Sequence, residues 1–276
     1  MTQLRRPTRI AVIGYGAITD EIVTCLERRG QIGALIGVLD LPERIDQLKA
    51  KANGRFPVVA VLNDLMATKP DLVIEAAGHA AAKRFAPQVL STGADLLIAS
   101  VGALADRDFA SRLEAASAEG GDLWIAAGAV AGIDGLLAAR TAGLKSVTYT
   151  SLKGPKAWTG TPGEKLLGPT ADRERVIFFK GSARDAAIQY PQNANVGATI
   201  ALASLGLDRT AVHLGSDPKV AGPLGIIDAD GEFGTLHFEI LALASPINPK
   251  TSAITGHSLI AAALDGMRFR PFALAG

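Results

Sequence analysis

The chain has 276 residues, 48% of them hydrophobic, and its 28 basic and 27 acidic residues give a formal net charge of +1. This length allows one or two domains with a sizeable core, and the balanced charge offers no basic field for nucleic acid or for a membrane surface. The single cysteine, Cys25, excludes an internal disulfide and a cysteine-cluster metal site, so we expect no metal and a cytoplasmic location.

In the first half of the chain, short apolar runs alternate with helical patterns. Strands are predicted at 9–14, 34–39, 57–60, 71–76, 95–99 and 122–126, and helices at 17–29, 43–52, 62–67, 79–90 and 106–118. This alternation is typical of a doubly wound parallel sheet with helices on both faces. The predicted fold class is therefore α/β, with a Rossmann-type dinucleotide-binding domain at 1–130.

The pattern changes after a further predicted helix at 131–143. Strands are predicted at 146–153, 175–180, 210–215 and 234–243, and two helices at 183–190 and 195–206. We interpret 131–249 as a second, mixed α/β domain that carries the substrate and catalytic site. A last helix is predicted at about 250–265, and we expect the segment 250–276 to pack back on the first domain.

The clearest binding motif is the turn after the first strand, Gly14-Tyr-Gly16-Ala17-Ile18. Gly14 would allow the tight turn, Gly16 would let a pyrophosphate approach the backbone, and the next helix would offer its first N–H groups. Thr19 stands in place of the third glycine of the fingerprint. Asp40 ends the second apolar run, where an acid can accept hydrogen bonds from an adenosine ribose. The motif predicts NAD as cofactor, with NADP as the alternative.

Small residues also fill the loops after later strands, at Ala77-Gly78 and at 127–129, and ligands of parallel sheets bind at such loops. Ordinary turns would show the same composition. Three side chains are candidates for proton transfer or substrate binding: His79, His213 and Lys153. His79 follows the fourth strand, His213 lies near a strand end of the second domain, and Lys153 is a cation that could hold an acidic substrate. A structural histidine or a solvated lysine is the competing interpretation in each case.

Six segments carry a resemblance to a known family: Ala77-Gly-His79, Ser100-Val-Gly-Ala-Leu-Ala-Asp106, Gly128-Ala-Val-Ala-Gly-Ile-Asp134, Phe179-Lys-Gly-Ser182, Tyr190-Pro-Gln-Asn-Ala-Asn-Val196 and Asn248-Pro-Lys-Thr-Ser252. In this order and combination they resemble the NAD(P)-dependent L-aspartate dehydrogenases across nearly the whole chain. The resemblance implies oxidative deamination of an amino acid through an imine, or the reverse amination. It also implies that Ala129 and Asn195 contact the nicotinamide cofactor.

The chain departs from this family at one important position. The family places its catalytic histidine in a pattern like Asp-Pro-x-x-x-x-Asn-x-His, whereas here Asp217-Pro218 is followed by Pro223 and Gly225 at the matching positions. Loss of a proton-transfer group typically costs about 10²–10⁴-fold in rate. The change predicts a roomier pocket in the 217–226 loop and slow oxidation of L-aspartate, which Gly225→His should accelerate.

Three alternatives follow from the missing histidine. Another of the candidate groups takes over proton transfer, the substrate is a different imine or carbonyl, or the protein is a catalytically impaired NAD(P)-binding homologue. In each case we expect a homodimer whose partner is a small amino acid, imine or carbonyl, and neither nucleic acid nor a membrane.

Overall fold

The computed structural model describes residues 9–168, 170–191, 195–243, 252–272 and 274. By contacts the chain divides into two compact units. The first comprises the described residues up to Ser100 together with Ser111–Gly128 and Ile254–Arg270. The second comprises Val101–Ala110, the described part of Ala129–Ala253 and the described residues from Pro271 onward. Within these described ranges, every helix is too short or too polar to cross a membrane.

The first unit contains a seven-stranded sheet. Its strands are β1 Ile10–Ile13, β2 Leu35–Leu39, β3 Val58–Val59, β4 Leu72–Glu75, β5 Asp95–Ile98, β6 Leu123–Ala126 and β12 Arg268–Phe269. They lie in the order β12-β6-β5-β4-β1-β2-β3. The pairs among β1 to β6 are parallel, and β12 is antiparallel to β6. All four residues of β1 are buried, as expected for a central strand that is covered on both faces.

Helices α1 Ala17–Arg28, α2 Ile45–Ala52, α3 Leu62–Ala67, α4 His79–Ser91 and α5 Arg107–Glu119 follow successive strands of this sheet. The predicted strands and helices of this region agree with the observed ones to within one or two residues, and the predicted α/β fold class is confirmed. A further helix, α9 Thr255–Leu264, packs against α1. There the Gly256 N–H donates a hydrogen bond of 3.1 Å to Glu21 Oε2.

The second unit contains a five-stranded mixed sheet. Its strands are β7 Leu144–Lys153, β8 Val176–Ser182, β9 Ala211–Ser216, β10 Leu224–Gly231 and β11 Gly234–Leu241, in the order β11-β10-β7-β9-β8. Only β7 and β9 pair in parallel among these neighbours. The accompanying helices are α6 Ile133–Thr141, α7 Ala183–Gln189 and α8 Asn195–Ala203.

Strand β10 corrects the prediction that 217–226 is a loop throughout. The chain enters an extended conformation at Leu224 and then pairs along its whole length with β7 on one side and β11 on the other. Glycine and aspartate are depleted in strands, so Gly225, Asp228 and Asp230 hid this strand in the sequence. The pairing with two long neighbours outweighs that local preference.

The two faces of this sheet differ. Tyr149 of β7 and Phe238 of β11 lie on the face covered by helices, where a Cβ added at Gly197 of α8 would come 3.5 Å from the Tyr149 ring. Successive strand residues point to opposite faces, so Ser151 and Lys153 share the face of Tyr149. On the other face, Asp228 and His237 are exposed and are joined by a hydrogen bond of 2.7 Å.

Candidate active site

The turn after β1 separates the roles of its two glycines. Gly14 has φ +96°, and a Cβ at this position would come 2.6 Å from the Ala77 Cβ, so the fold itself requires glycine here. Gly16 is exposed, has φ −103° and could carry a Cβ with no protein atom within 4 Å. The open surface at Gly16 therefore fits the close approach of a dinucleotide phosphate.

The first turn of α1 completes this cradle. Ala17 and Ile18 are half-buried at its N-terminal end, where backbone N–H groups remain available for a phosphate. Thr19 is fully buried, and its Oγ1 donates a hydrogen bond of 2.6 Å to the Gly14 carbonyl. The residue that replaces the third glycine thus fastens the turn to the helix, which explains why the motif tolerates the change.

Asp40 is buried beside this turn, directly after β2. Its carboxylate accepts hydrogen bonds from the Tyr15 N–H at 2.6 Å and from the Leu41 N–H at 2.7 Å. The Arg44 guanidinium lies 3.0 Å and 3.2 Å from its two oxygens. The side chain of Arg44 is 42% exposed, compared with 4% for Asp40, so the cation is the more accessible partner of the pair.

This ion pair predicts the response of cofactor choice to mutation. We expect wild-type protein to bind NADH more tightly than NADPH, because the Asp40 carboxylate repels a 2′-phosphate. In Asp40→Ala the Arg44 charge is no longer neutralised, so the gap should narrow by about tenfold. Fluorescence titration with both cofactors measures this. Arg44→Ala is the matched control and should widen the gap, whereas tighter NADPH binding by the wild type would contradict the assignment.

The loops after β4 and β5 are joined by Glu75, which the sequence analysis missed. This carboxylate is fully buried, and its Oε1 accepts the N–H groups of Ala77 and Gly78, each at 2.9 Å. It also accepts the Ser100 hydroxyl at Oε1 and the Ser100 N–H at Oε2, each at 3.0 Å. Burial raises the pKa of the Glu75 carboxyl, and the hydrogen bonds oppose that rise. The only sequence signal was an acid at the end of an otherwise apolar strand.

The remaining predicted cofactor residues lie in both units. His79 is the half-buried first residue of α4, directly after the loop held by Glu75. Ala129 follows Gly128, whose N–H donates a hydrogen bond of 2.9 Å to Ser258 Oγ. Asn195 begins α8, and its Oδ1 accepts the Gly102 N–H at 2.9 Å. Asn195 therefore holds the segment that continues from Ser100, within the second unit.

Lys153 ends β7 in a partly desolvated setting. Its Nζ lies 5.3 Å from the centroid of the Trp158 ring, which is within the range of a cation–π interaction. Burial lowers the pKa of the Lys153 ammonium to about 8. The neighbouring strand pairs it with Ser216, whose buried Oγ has no hydrogen-bond partner among the described residues. Ser216 is thus a further polar group at this strand edge that the sequence analysis missed.

His213 does not join Lys153. The register of β7 and β9 pairs it with Thr150, so its side chain lies on the sheet face opposite to that of Lys153. Burial, together with Lys180 on β8, lowers the pKa of His213. The structure therefore separates two of the three predicted catalytic candidates, because strand alternation places positions 150 and 153 on different faces.

Gly225 faces the phenol of Tyr149. A Cβ at position 225 would lie 3.2 Å from Tyr149 Cε2 and 3.4 Å from its hydroxyl oxygen. Tyr149 is itself buried, and burial raises its pKa to about 12. The expected gain in pocket volume at Gly225 is therefore limited by this ring. The preceding Asp217 is also fixed, since it accepts the Lys219 N–H at 2.9 Å and Arg175 Nε at 2.8 Å.

Comparison with known proteins gives the family. Residues 14–126 match the family described as homoserine dehydrogenase, NAD binding domain, and residues 134–265 match aspartate dehydrogenase, C-terminal. The chain is 40% identical to the L-aspartate dehydrogenase of Cupriavidus taiwanensis over 257 residues, which cover 92% of this chain and 95% of the relative. The chain belongs to the L-aspartate dehydrogenase family. The L-aspartate dehydrogenase of Acinetobacter baumannii is similar at 39% identity, with the same coverage.

A solved structure agrees with the observed fold. The crystal structure of aspartate dehydrogenase from Thermotoga maritima has a TM-score of 0.69 with 22% identity, and the match covers 92% of this chain and 94% of that one. The protein is an NAD(P)-dependent oxidoreductase of the aspartate dehydrogenase type, which acts on a CH–NH2 group of a small molecule. The predicted family, reaction class and NAD cofactor are confirmed, while the roles of individual site residues stay predictions. Among the described residues, no group of three or more His, Cys, Asp and Glu side chains is arranged to hold a metal ion.

Proposed function

We propose that this protein interconverts L-aspartate and oxaloacetate through the imine. Similarity to curated L-aspartate dehydrogenases along nearly the whole chain supports this substrate. The observation that carries the proposal is Lys153, a cation beside Trp158 at the end of a strand in the unit that matches the aspartate dehydrogenase C-terminal family. The bound nicotinamide supplies the hydride chemistry, and the chain's own residues bind and orient the substrate.

In this proposal Lys153 holds a substrate carboxylate. A charged donor to a carboxylate makes a shorter and stronger hydrogen bond than a neutral one, and partial burial strengthens it further. The ammonium is needed in its protonated form, which is the main form only below its pKa of about 8. The same residue that favours a dicarboxylate thus makes its binding sensitive to pH.

We therefore expect kcat/KM for aspartate, relative to that for a neutral amino acid, to decrease above pH 8. The decrease should approach about tenfold per pH unit, because the free enzyme loses the ammonium proton. The ratio cancels the titration of the substrate amine, which both substrates share. Steady-state rates between pH 6.5 and 9.5 give the profile.

A pair of lysine variants supplies the control for this profile. Lys153→Ala should raise KM for dicarboxylates about 10- to 100-fold, with little change in kcat, and should flatten the profile. Lys156→Ala removes an exposed lysine three residues further on and should leave both unchanged. Equal effects of Lys153→Ala on dicarboxylates and neutral substrates would exclude the carboxylate role.

Gly225 favours a second candidate function. An enzyme without a histidine at this position could reduce a different imine or carbonyl, because a proton donor specific to aspartate chemistry would be missing. Loss of NADH absorbance with oxaloacetate and ammonia tests the first proposal directly. If that rate is absent while other carbonyls react, the second candidate holds. NADH binding without turnover of any carbonyl would indicate an impaired homologue.

We further propose a homodimer in the cytoplasm. The face of the five-stranded sheet that carries Asp228 and His237 is exposed in the described chain and is available to a second copy. The cytoplasmic assignment follows from the dependence of the reaction on the NAD(H) pool. Light scattering in solution tests the assembly, and a monomeric mass at micromolar concentration would contradict it.

A further inference from the structure

Glu75 occupies a position that ordinary fold stabilisation does not require. It ends β4 at the carboxyl edge of the sheet, where ligands of parallel α/β sheets bind, and it is fully buried. Burial of a carboxylate is costly unless hydrogen bonds compensate for lost hydration. Four hydrogen bonds between 2.9 Å and 3.0 Å supply that compensation.

The partners indicate that Glu75 is ionised. They are three backbone N–H groups, which can only donate, and the Ser100 hydroxyl, which can rotate to donate. A proton on Oε1 would face three of these donors. All four partners are neutral, so they satisfy the carboxylate without cancelling its charge. A negative charge is therefore kept in a poorly hydrated environment, where its field is weakly screened.

The same hydrogen bonds connect Glu75 with the dinucleotide turn. Two of them hold the Ala77–Gly78 loop, and a Cβ built on Gly14 would come 2.6 Å from the Ala77 Cβ. The other two hold Ser100, at the end of the loop after β5. Displacement of this carboxylate would move backbone on two of the loops that line the cofactor edge.

We propose that Glu75 is a positioning residue of the cofactor site, and that its buried negative charge favours NAD+ over NADH. Oxidised nicotinamide carries a positive charge that the reduced ring lacks, so a fixed negative charge at this edge stabilises the oxidised form selectively. Glu75 touches neither substrate nor the reacting atoms in this role. The inference concerns cofactor binding and does not depend on aspartate being the substrate.

Isothermal titration calorimetry of the full chain with NAD+ and with NADH tests the proposal. In Glu75→Gln the charge is lost and the amide N–H2 faces backbone donors, so NAD+ affinity should fall about tenfold more than NADH affinity. Ser100→Ala is the matched control: it removes one neutral donor and keeps the charge, so the affinity ratio should equal that of wild type. Equal losses of both affinities in Glu75→Gln, or a lower Tm with unchanged affinities, would overturn the proposal.

A second variant covers the case in which Glu75→Gln does not fold. Glu75→Asp keeps the charge but shortens the reach to the two loops. Both affinities should then fall together, with the NAD+ to NADH ratio of wild type retained. A changed ratio in Glu75→Asp would show that loop position, and not charge, sets the preference, and would contradict the proposal. Aspartate turnover enters none of these readouts, so failure of the proposed substrate remains a separate result.

Discussion

Gly16→Val should weaken NAD(H) binding by about 10- to 100-fold while the protein stays folded. The backbone at Gly16 has φ −103°, which valine adopts without strain, and no protein atom lies within 4 Å of the Cβ position. The added side chain would therefore occupy only the space that a phosphate needs. Fluorescence titration with NADH measures the affinity, and circular dichroism on heating measures Tm.

Gly14→Ala is the contrasting variant for this prediction. Here φ is +96° and the new Cβ would lie 2.6 Å from Ala77, so the fold itself should be destabilised by about 1–3 kcal/mol. Tm should fall by several degrees, at roughly 2–4 °C per kcal/mol for a chain of this size class. If Gly16→Val leaves NADH affinity unchanged, the turn has only a structural role.

A histidine at position 225 should raise L-aspartate turnover only when Tyr149 is made smaller. A Cβ at this position already comes within 3.2 Å of the buried Tyr149 ring, so the imidazole of Gly225→His would be overpacked. Tyr149→Leu removes the ring edge and the hydroxyl. A positioned proton-transfer group contributes about 10²–10⁴-fold, so at least about tenfold higher kcat is expected for the double variant.

Three variants separate the contributions to this result. Gly225→His alone should lower Tm because overpacking costs about 1–3 kcal/mol, and should bring little gain in rate. Tyr149→Leu alone should not raise kcat, since it adds no proton-transfer group. The double variant should recover part of the lost Tm, which is the coupling expected for residues in contact. The steric interpretation fails if Gly225→His is as stable and as active as the double variant. Rapid aspartate turnover by wild-type protein would instead contradict the proposed position of the histidine.

The first unit was predictable from sequence because its elements follow local rules. Four consecutive apolar residues at Ile10–Ile13 indicate a strand buried on both faces, and the observed strand has these bounds. The glycine turn and α1 follow directly in the chain. In the second unit, β10 was missed because Gly225 and two aspartates resemble a turn, and its strand conformation depends on β7 and β11.

The candidate site was predictable only in part for the same reason. Gly14, Gly16 and Asp40 belong to a motif of fixed spacing, and they lie where that motif predicts. Glu75 belongs to no such motif, and its importance comes from partners up to 25 residues away in the chain. His213 and Lys153 were both plausible by type, and only strand register separates them onto opposite faces.

The sequence by itself determined the α/β class, the dinucleotide turn and the family, since periodicity and motif spacing are properties of neighbouring residues. The tertiary structure alone decided which side chains meet. It brings Arg44 against Asp40, the loops after β4 and β5 onto Glu75, and Tyr149 against Gly225. The physical reason is that burial, charge pairing and steric exclusion act between side chains that are close in space, whatever their separation along the chain.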